Sequence, residues 1–220
     1  ETQTYRRNAV DLNCKRHHDV FNELNLIPKF CFSCFKIQIE PKSVLDLIKL
    51  FFIFDDFSFE NNNWRKCMIE LRNGVPGAYK GFVYCSSNDE AKKILNQITP
   101  LLENHLIYNV KIKRGCTEFY EKYPNYKEIN NTEDNFMRYD PSWEQEEKKY
   151  DLKKNLNKKI SKDTLSGLSI SDFLIINNWL NYAKIIGDLS YEKIIDNFLY
   201  SEYVYKKTSS QLEFRKKEFL

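Results

Sequence analysis

Four short segments in the middle of this chain alternate apolar and polar residues, and two segments between them repeat apolar residues at helical spacing. The alternating segments are residues 35–40, 66–72, 79–85 and 110–113. Such alternation is typical of strands that bury one face. Helical spacing follows Ser43, which can cap a helix, and begins again after Asn88 or Asp89. Residues 73–77 read Asn-Gly-Val-Pro-Gly, which is turn chemistry.

The resulting order of strand, helix, strand, strand, helix and strand covers residues 30–119 and predicts an α+β fold. We expect a ferredoxin-like β-α-β-β-α-β sandwich, with one four-stranded antiparallel sheet and both helices on one face. This domain should span residues 26–122. Its second and third strands should pair as an antiparallel hairpin across residues 73–78.

The segments outside this domain have different patterns. Residues 1–25 predict an N-terminal helical extension, with a frayed polar start at 1–7 and a helix from about residue 8 to 24. Residues 123–142 are rich in aromatic side chains but not periodic, which predicts a loop that wraps the domain. Residues 143–220 predict a helical region that includes an apolar, buried helix stopped by Gly187.

Composition narrows the class of protein only slightly. The chain has 220 residues, of which 42% are hydrophobic, and its net charge is +3. This charge does not demand a nucleic acid or a membrane as partner. The longest apolar run falls short of the ~20 residues that span a bilayer, and no signal-peptide pattern is visible. We therefore expect no membrane span and an intracellular, reducing compartment in which the six cysteines stay reduced.

The third strand and the helix after it have a recognisable sequence. Residues 80–95 contain a Gly-Phe-Val segment, then an acidic helix start and an Ala, in an arrangement that resembles the RNA-recognition motif. Residues 46–51 also resemble the first helix of that family. The resemblance covers residues 30–119 and implies RNA binding through the open face of the sheet. Phe82 keeps a position at which the family stacks a base. Lys36 and Gln38 hold the positions that correspond to an aromatic residue of the family's first strand, and Lys80 replaces an aromatic residue of its third strand.

Strand parity places several cations and a second ring on the same face as Phe82, and Lys66 lies there too. The candidate RNA-binding residues are Lys36, Arg72, Lys80, Phe82, Tyr84, Lys111 and Lys113. Aromatic rings beside cations suit stacked bases and phosphates. The alternatives are that the aromatic loop or the C-terminal helices cover this face, or that it binds a protein partner.

The cysteines form a second constellation. The predicted topology brings Cys31, Cys34, Cys85 and Cys116 to one edge of the sheet. Four thiolates there would be a ligand set for zinc or an iron–sulfur cluster. Against this, the segment from Cys31 to Cys34 lacks the turn residues of most metal knuckles, and buried thiols also pack as small hydrophobes. We expect no cofactor, with a metal site as the alternative.

Two smaller patterns also contain a thiol. Cys14, His17 and His18 are spaced to converge on a metal, but a His on an apolar helix face is more often packed in a core. We expect His17 to be packed in this way and His18 to be exposed. Cys116 follows Lys113 and Arg114, and nearby cations can lower the pKa of a thiol and make it reactive.

These patterns favour a non-catalytic binding or scaffold protein that contacts RNA or a protein partner through the sheet face. The alternative is a metal-dependent or thiol-dependent enzyme at the cysteine-rich edge. The balance leans away from an enzyme, because the sequence contains no recognisable phosphate loop, dinucleotide fingerprint or metalloprotease motif.

Overall fold

The computed structural model describes residues 2–9, 12–126, 137–154, 162–194 and 202–217. The strands are β1 (Gln3–Ala9), β2 (Phe35–Pro41), β3 (Arg65–Ile69), β4 (Tyr79–Cys85), β5 (Tyr108–Arg114) and β6 (Lys162–Leu165). The helices are α1 (Cys14–Leu24), α2 (Lys29–Ser33), α3 (Val44–Asp56), α4 (Asn88–His105), α5 (Phe119–Lys122), α6 (Trp143–Lys154), α7 (Ile170–Ile186) and α8 (Glu202–Lys216), with a 3₁₀ turn at Leu189–Tyr191. In these ranges, we find no helix with the length and apolar character that a membrane span needs.

The fold is mixed α/β and is built on one antiparallel sheet. Five strands lie in the order β5-β2-β4-β3-β1, and the short β6 pairs with the other edge of β1 through an irregular register. The predicted hairpin is confirmed, since β3 and β4 pair antiparallel with Cys67 opposite Gly81. The backbone N–H of Glu70 donates to the carbonyl of Ala78 at the turn.

The predicted fraying of residues 1–7 is wrong, because Gln3–Ala9 form the strand β1. This strand has no apolar alternation, since its side chains that face the helices are Thr4 and Arg6, both buried. The helix that follows begins at Cys14 rather than near residue 8. Polar side chains with buried partners therefore hid a strand from a pattern based on hydrophobicity.

The main core lies between one face of the sheet and the helices α3 and α4. Ile37, Ile39 and Val83 have no exposed surface and pack with Leu47 and Leu50 of α3. Gly81 allows this close approach, because a Cβ there would lie 2.4 Å from a methyl carbon of Leu50. This face of the sheet is called the helix face below, and the opposite face is called the polar face.

The helix α7 packs on the helix-face side of the molecule. Trp179 has no exposed surface and its ring centroid lies 6.3 Å from that of Phe51 in α3. Gly187 ends this helix, as predicted, and the structure shows it in the left-handed conformation. The prediction of a helix buried all round is wrong, because Phe173 and Leu174 point to solvent while Ile175 and Trp179 are buried.

A buried ion cluster connects β1 to α3 and α7. The guanidinium of Arg6 lies 2.8 Å from the carboxylate of Asp172 and 3.1 Å from that of Asp55. The hydroxyl of Thr4 donates to Asp172 at 2.6 Å. Asp172 also accepts from Ser169 and completes the capping box of α7. The N-terminal strand and a C-terminal helix are thus held by one carboxylate.

We predict that Asp172→Asn lowers the free energy of unfolding by about 3 kcal/mol, because removing one partner of a buried ion pair leaves the other without compensation. Urea denaturation at pH 7 measures this change. Glu213→Gln is the control, because Glu213 is exposed and pairs with Lys216 three residues away in α8, and surface changes of this kind stay within about 0.5 kcal/mol. Equal midpoints for the two variants would contradict the structural role of Asp172.

The same carboxylate predicts a dependence of stability on acid. Burial raises the pKa of Asp172, but hydrogen bonds from Arg6, Ser169 and Thr4 outweigh this effect and lower it to about 2. A pKa that is lower in the folded than in the unfolded chain stabilises the fold above the unfolded value of about 3.9. This contribution should be lost as the pH falls from about 4 to 2, and the loss should be smaller in Asp172→Asn.

Candidate thiol and lysine site

Every second residue of the central strands points to the polar face. Lys36 lies opposite Tyr84 on β4 and opposite Lys113 on β5. Phe82 lies between Gln38 and Lys66 of the neighbouring strands. The register therefore places Lys36, Lys80, Phe82, Tyr84, Lys111 and Lys113 on one face, which is the arrangement that strand parity predicts.

Most of these side chains are buried, although an open face was expected. Lys36 is 8% exposed, Lys80 3%, Phe82 7% and Lys113 8%. Tyr84 is half-buried and Lys111 is exposed. The cover at Lys36 comes from α1 and from the turn after β5, since His18 of α1 hydrogen-bonds to Cys116 and Cys116 contacts Lys36.

Two of the predicted RNA-binding cations are neutralised within the protein. The ammonium of Lys80 lies 2.7 Å from the carboxylate of Glu70, and the guanidinium of Arg72 lies 2.8 Å from the same group. Arg72 also pairs with Glu118 at 2.6 Å. Lys80 and Arg72 are therefore engaged in ion pairs and are poor candidates for a ligand site.

Three other lysines on the polar face have different partners. The ammonium of Lys36 lies 3.6 Å from the sulfur of Cys116, that of Lys66 donates to the side-chain oxygen of Gln3 at 3.0 Å, and that of Lys113 donates to the hydroxyl of Thr117 at 2.8 Å. Among the described residues, no ion pair links Lys36, Lys66 or Lys113 to a carboxylate. We call these three lysines, together with Cys116, His18 and Glu118, the thiol–lysine site.

Burial makes the charge on two of these lysines costly. The pKa of Lys66 and that of Lys113 are both lowered to about 8, first by burial and then by the charge of Lys36. Burial also lowers the pKa of Lys36, but negative charge on the nearby thiols, above all Cys116, outweighs it and leaves the pKa raised. The site therefore concentrates positive charge in a recessed position.

Aromatic rings surround the lysines of the site. The ammonium of Lys36 lies 5.8 Å from the ring centre of Phe82 and 5.7 Å from that of Tyr84, and the ammonium of Lys66 lies 5.4 Å from that of Phe82. The faces of such rings attract cations. The ring of Phe82 thus lies against the ammonium groups of two lysines and does not form an exposed surface for base stacking.

Gly115 places Cys116 above the sheet. Its φ of +54° is a conformation that favours glycine, and a Cβ there would lie 2.0 Å from the hydroxyl oxygen of Tyr126. Its N–H donates to the carbonyl of Cys34 at 2.7 Å, which ties the turn to the segment before β2. The chain therefore leaves β5 at a fixed angle, and the thiol of Cys116 turns back over Lys36.

Cys116 has an acidic thiol. Burial raises its pKa, but the charge of Lys36 and a hydrogen bond with His18 lower it to about 7. The same hydrogen bond is the main cause of the raised pKa of His18. The lowered pKa agrees with the prediction from sequence. The groups that lower it are Lys36 and His18, however, and not the adjacent Lys113 and Arg114.

His18, Cys116 and Glu118 are close enough to share a ligand. Their potential metal-binding atoms lie within 4.8 Å of one another, and this is the one such group of three or more found among the described residues. Lys36 lies in contact with the same sulfur, and its positive charge opposes a metal cation at this position. We therefore assign Lys36 and His18 to stabilisation of a thiolate at Cys116, which the negative charge of Glu118 opposes.

The predicted four-cysteine ligand set is distributed over different surroundings. Cys31 is buried in an apolar cluster with Phe119 and Tyr126, whereas Cys85 packs in the main core. Burial raises the pKa of Cys31, raises that of Cys85 to about 12 and raises that of Cys34 to about 11. Of the four, only Cys116 belongs to the close group of potential ligands.

The two histidines of α1 have different roles. His17 is buried, its ring stacks 5.1 Å from that of Phe30, and burial lowers its pKa to about 4, as expected of a packed residue. His18 was predicted to be exposed, but it is half-buried and bonds to Cys116. The sequence contains no signal for this contact, because α1 and Cys116 lie about a hundred residues apart.

We predict that Lys36→Met raises the pKa of Cys116 by at least about one unit, because the thiol remains buried while the cation that favours its thiolate form is removed. The absorbance of the thiolate at 240 nm, followed from pH 5 to 10, measures this pKa. Cys116→Ser should remove the titration step near pH 7. Lys111→Met is the matched control, since Lys111 lies on the polar face but is exposed. An unchanged step in Lys36→Met would contradict the proposed cause.

Comparisons with known proteins contribute no assignment to this site. No protein-family model matches the chain, and no curated protein or solved structure matches it. The resemblance to the RNA-recognition motif thus stays an expectation from sequence, and the function has to be inferred from the geometry of the polar face.

Proposed function

We propose that this protein is a non-catalytic binding protein that holds an anionic ligand at the thiol–lysine site. The observation that carries this proposal is the group of Lys36, Lys66 and Lys113, two of them buried and Lys66 half-buried, with no ion pair to a carboxylate among the described residues. Lys36 has the thiol of Cys116 as its partner and Glu118 acts on Lys36 and Lys113 from further away, so the charge of the three lysines is only partly balanced, and burying such charge costs free energy. A phosphate or carboxylate of a ligand would offset that cost.

RNA is the ligand that fits the surroundings of the lysines best. Three half-buried rings form a row beside the site: Tyr5 stacks on Trp64 with ring centres 4.9 Å apart, and Trp64 packs on Tyr84 at 4.6 Å. Bases stack on such rings while cations contact the phosphates. Because Phe82 is buried, we assign base stacking to Trp64 and Tyr84.

We also propose that β2 to β5, with α3 and α4, form a ferredoxin-like unit to which β1 adds a fifth strand. The strand order β5-β2-β4-β3 and the antiparallel pairing support this interpretation. The half-buried rings of Tyr84 and Trp64 would then lie where that fold leaves its sheet accessible. The free cysteines suit a reducing, intracellular compartment.

A protein partner is the second candidate, and α7 favours it. Ile170, Phe173, Leu174 and Ile185 on this helix are between 58% and 84% exposed, and clustered apolar side chains at a surface often mark a contact with another chain. This surface lies away from the thiol–lysine site, so the two candidates are independent. For the alternative of a metal-dependent or thiol-dependent enzyme, Cys116 is the cysteine to consider, because its pKa is lowered and His18 lies beside it.

We predict that a fluorescently labelled 12-nucleotide oligouridylate binds the chain and that Lys113→Gln weakens binding. The slope of log affinity against log salt should flatten by about 0.7, because one phosphate contact is lost. Tyr84→Ala should cost on the order of 1–3 kcal/mol through lost stacking. Fluorescence anisotropy at several salt concentrations measures both effects.

The matched control for this measurement is Lys93→Gln, which removes an exposed cation of α4 that pairs with Glu60. It should leave the salt slope unchanged. Equal slopes for Lys113→Gln and the unmodified chain would contradict RNA binding at this site. If inorganic pyrophosphate also fails to change the part of the tryptophan fluorescence that is lost in Trp64→Phe, the broader proposal of an anion site is wrong.

We predict that, if α7 contacts a second copy of the chain, sedimentation equilibrium will show a concentration-dependent dimer. Phe173→Ser should then weaken the dimer, because it removes an apolar side chain from the contact. Phe214→Ser, which removes an exposed apolar side chain from α8, is the matched control. A monomer at every concentration would contradict self-association through α7.

A further inference from the structure

The thiol of Cys116 is placed for a reaction as well as for binding. Its sulfur lies 3.6 Å from the ammonium of Lys36 and shares a hydrogen bond with His18. The residue is only half-buried. A cation and an imidazolium beside a thiol favour the thiolate, which is the nucleophilic form. An attacking thiol is most effective in exchange with disulfides when its pKa is close to the ambient pH.

We propose that Cys116 undergoes thiol–disulfide exchange with small disulfides that carry negative charge, and that Lys36, Lys66 and Lys113 select this charge. The selectivity rests on the proposed anion site, whereas the reactivity of the thiol does not. The other buried thiols of the main core, Cys67 and Cys85, are not competitors, because they pack among apolar side chains.

The exchange balances without a further oxidant. The thiolate of Cys116 attacks one sulfur of the disulfide, so that one S–S bond forms as the other breaks. The leaving sulfur departs with the electron pair of the broken bond and takes a proton from the imidazolium of His18. One half of the disulfide then stays on Cys116 as a mixed disulfide, and the other half leaves as a thiol.

A cavity lies beside the site, although Cys116 itself does not line it. This cavity of about 330 Å³ is lined by Cys34, Trp64 and Tyr84, among other residues. Tyr84 borders both this cavity and the ammonium of Lys36. The carboxylate of Glu118 lies within 4.8 Å of Cys116 and His18, and its charge raises the pKa of both groups.

The test compares oxidised glutathione, which is an anionic disulfide, with cystamine, which is cationic. The full chain is incubated with each disulfide at pH 7.5, and intact mass and peptide mapping identify the modified cysteine and its rate. We expect Cys116 to be modified first, with a ratio of the glutathione rate to the cystamine rate about tenfold higher than in the urea-unfolded chain, because clustered cations raise the local concentration of anions.

Variants separate charge selection from reactivity. Lys113→Gln should lower the ratio severalfold, whereas Lys111→Gln, an exposed lysine on the same strand and face, should leave it unchanged. His18→Gln should slow both disulfides to a similar extent. If Lys113→Gln does not fold by circular dichroism, Lys66→Gln replaces it with the same expectation.

Each result has a defined consequence. Modification of Cys116 no faster than that of Cys14 or Cys34 overturns the exchange proposal, and oligouridylate binding that persists in the same preparation leaves the anion site intact. Cys116 could be modified first while the ratio of the glutathione rate to the cystamine rate is the same in the folded and the unfolded chain. That result overturns the proposed charge selection. That result also counts against the anion site itself.

Discussion

The polar face of the sheet depends on the contact between the ammonium of Lys36 and the sulfur of Cys116, 3.6 Å apart. A lysine in the middle of a sheet that is covered on both faces needs a negative partner, because burial disfavours the charged form. Here a thiol takes the position that a carboxylate would usually fill. Lys36 lowers the pKa of Cys116, and the negative charge of Cys116 raises that of Lys36. Each group thus keeps the other charged.

The cations at the two ends of the polar face have different partners. Beside the hairpin of β3 and β4, Glu70 pairs with both Lys80 and Arg72, so these charges are balanced within the fold. Away from the turn of that hairpin, Lys66 of β3 and Lys113 of β5 donate to the neutral oxygens of Gln3 and Thr117. A sheet that served only as a scaffold would gain no stability from such lysines. The difference is the physical reason for placing a ligand at one end and not at the other.

Much of the sheet could be predicted from sequence, because a strand with one apolar face repeats every two residues. The alternation in residues 35–40 and 79–85 was sufficient for β2 and β4, and parity assigned Lys36 and Phe82 to the correct face. It could not reveal β1, where Thr4 and Arg6 point inward and have partners on α3 and α7. Hydrophobic periodicity contains no information about polar residues that are buried in pairs.

The candidate site was harder to predict, since its members come from distant parts of the chain. Cys116 was recognised as a thiol near cations, but the cation that contacts it belongs to β2 and the imidazole belongs to α1. The burial of the polar face follows from how α1 and the turn at Gly115 are placed, which is a matter of tertiary packing. Strand parity determines only the face on which a side chain lies and says nothing about what covers that face.

Phe82 shows how a residue in a familiar position can acquire another role. In the resemblance to the RNA-recognition motif, a ring at this position would stack on a base. Here its ring is 7% exposed and lies within 6 Å of the ammonium groups of Lys36 and Lys66. A ring at this distance stabilises cations that have lost part of their hydration. Phe82 therefore helps to keep Lys36 and Lys66 charged, and contact with a base falls to the half-buried rings of Trp64 and Tyr84 at the edge of the site.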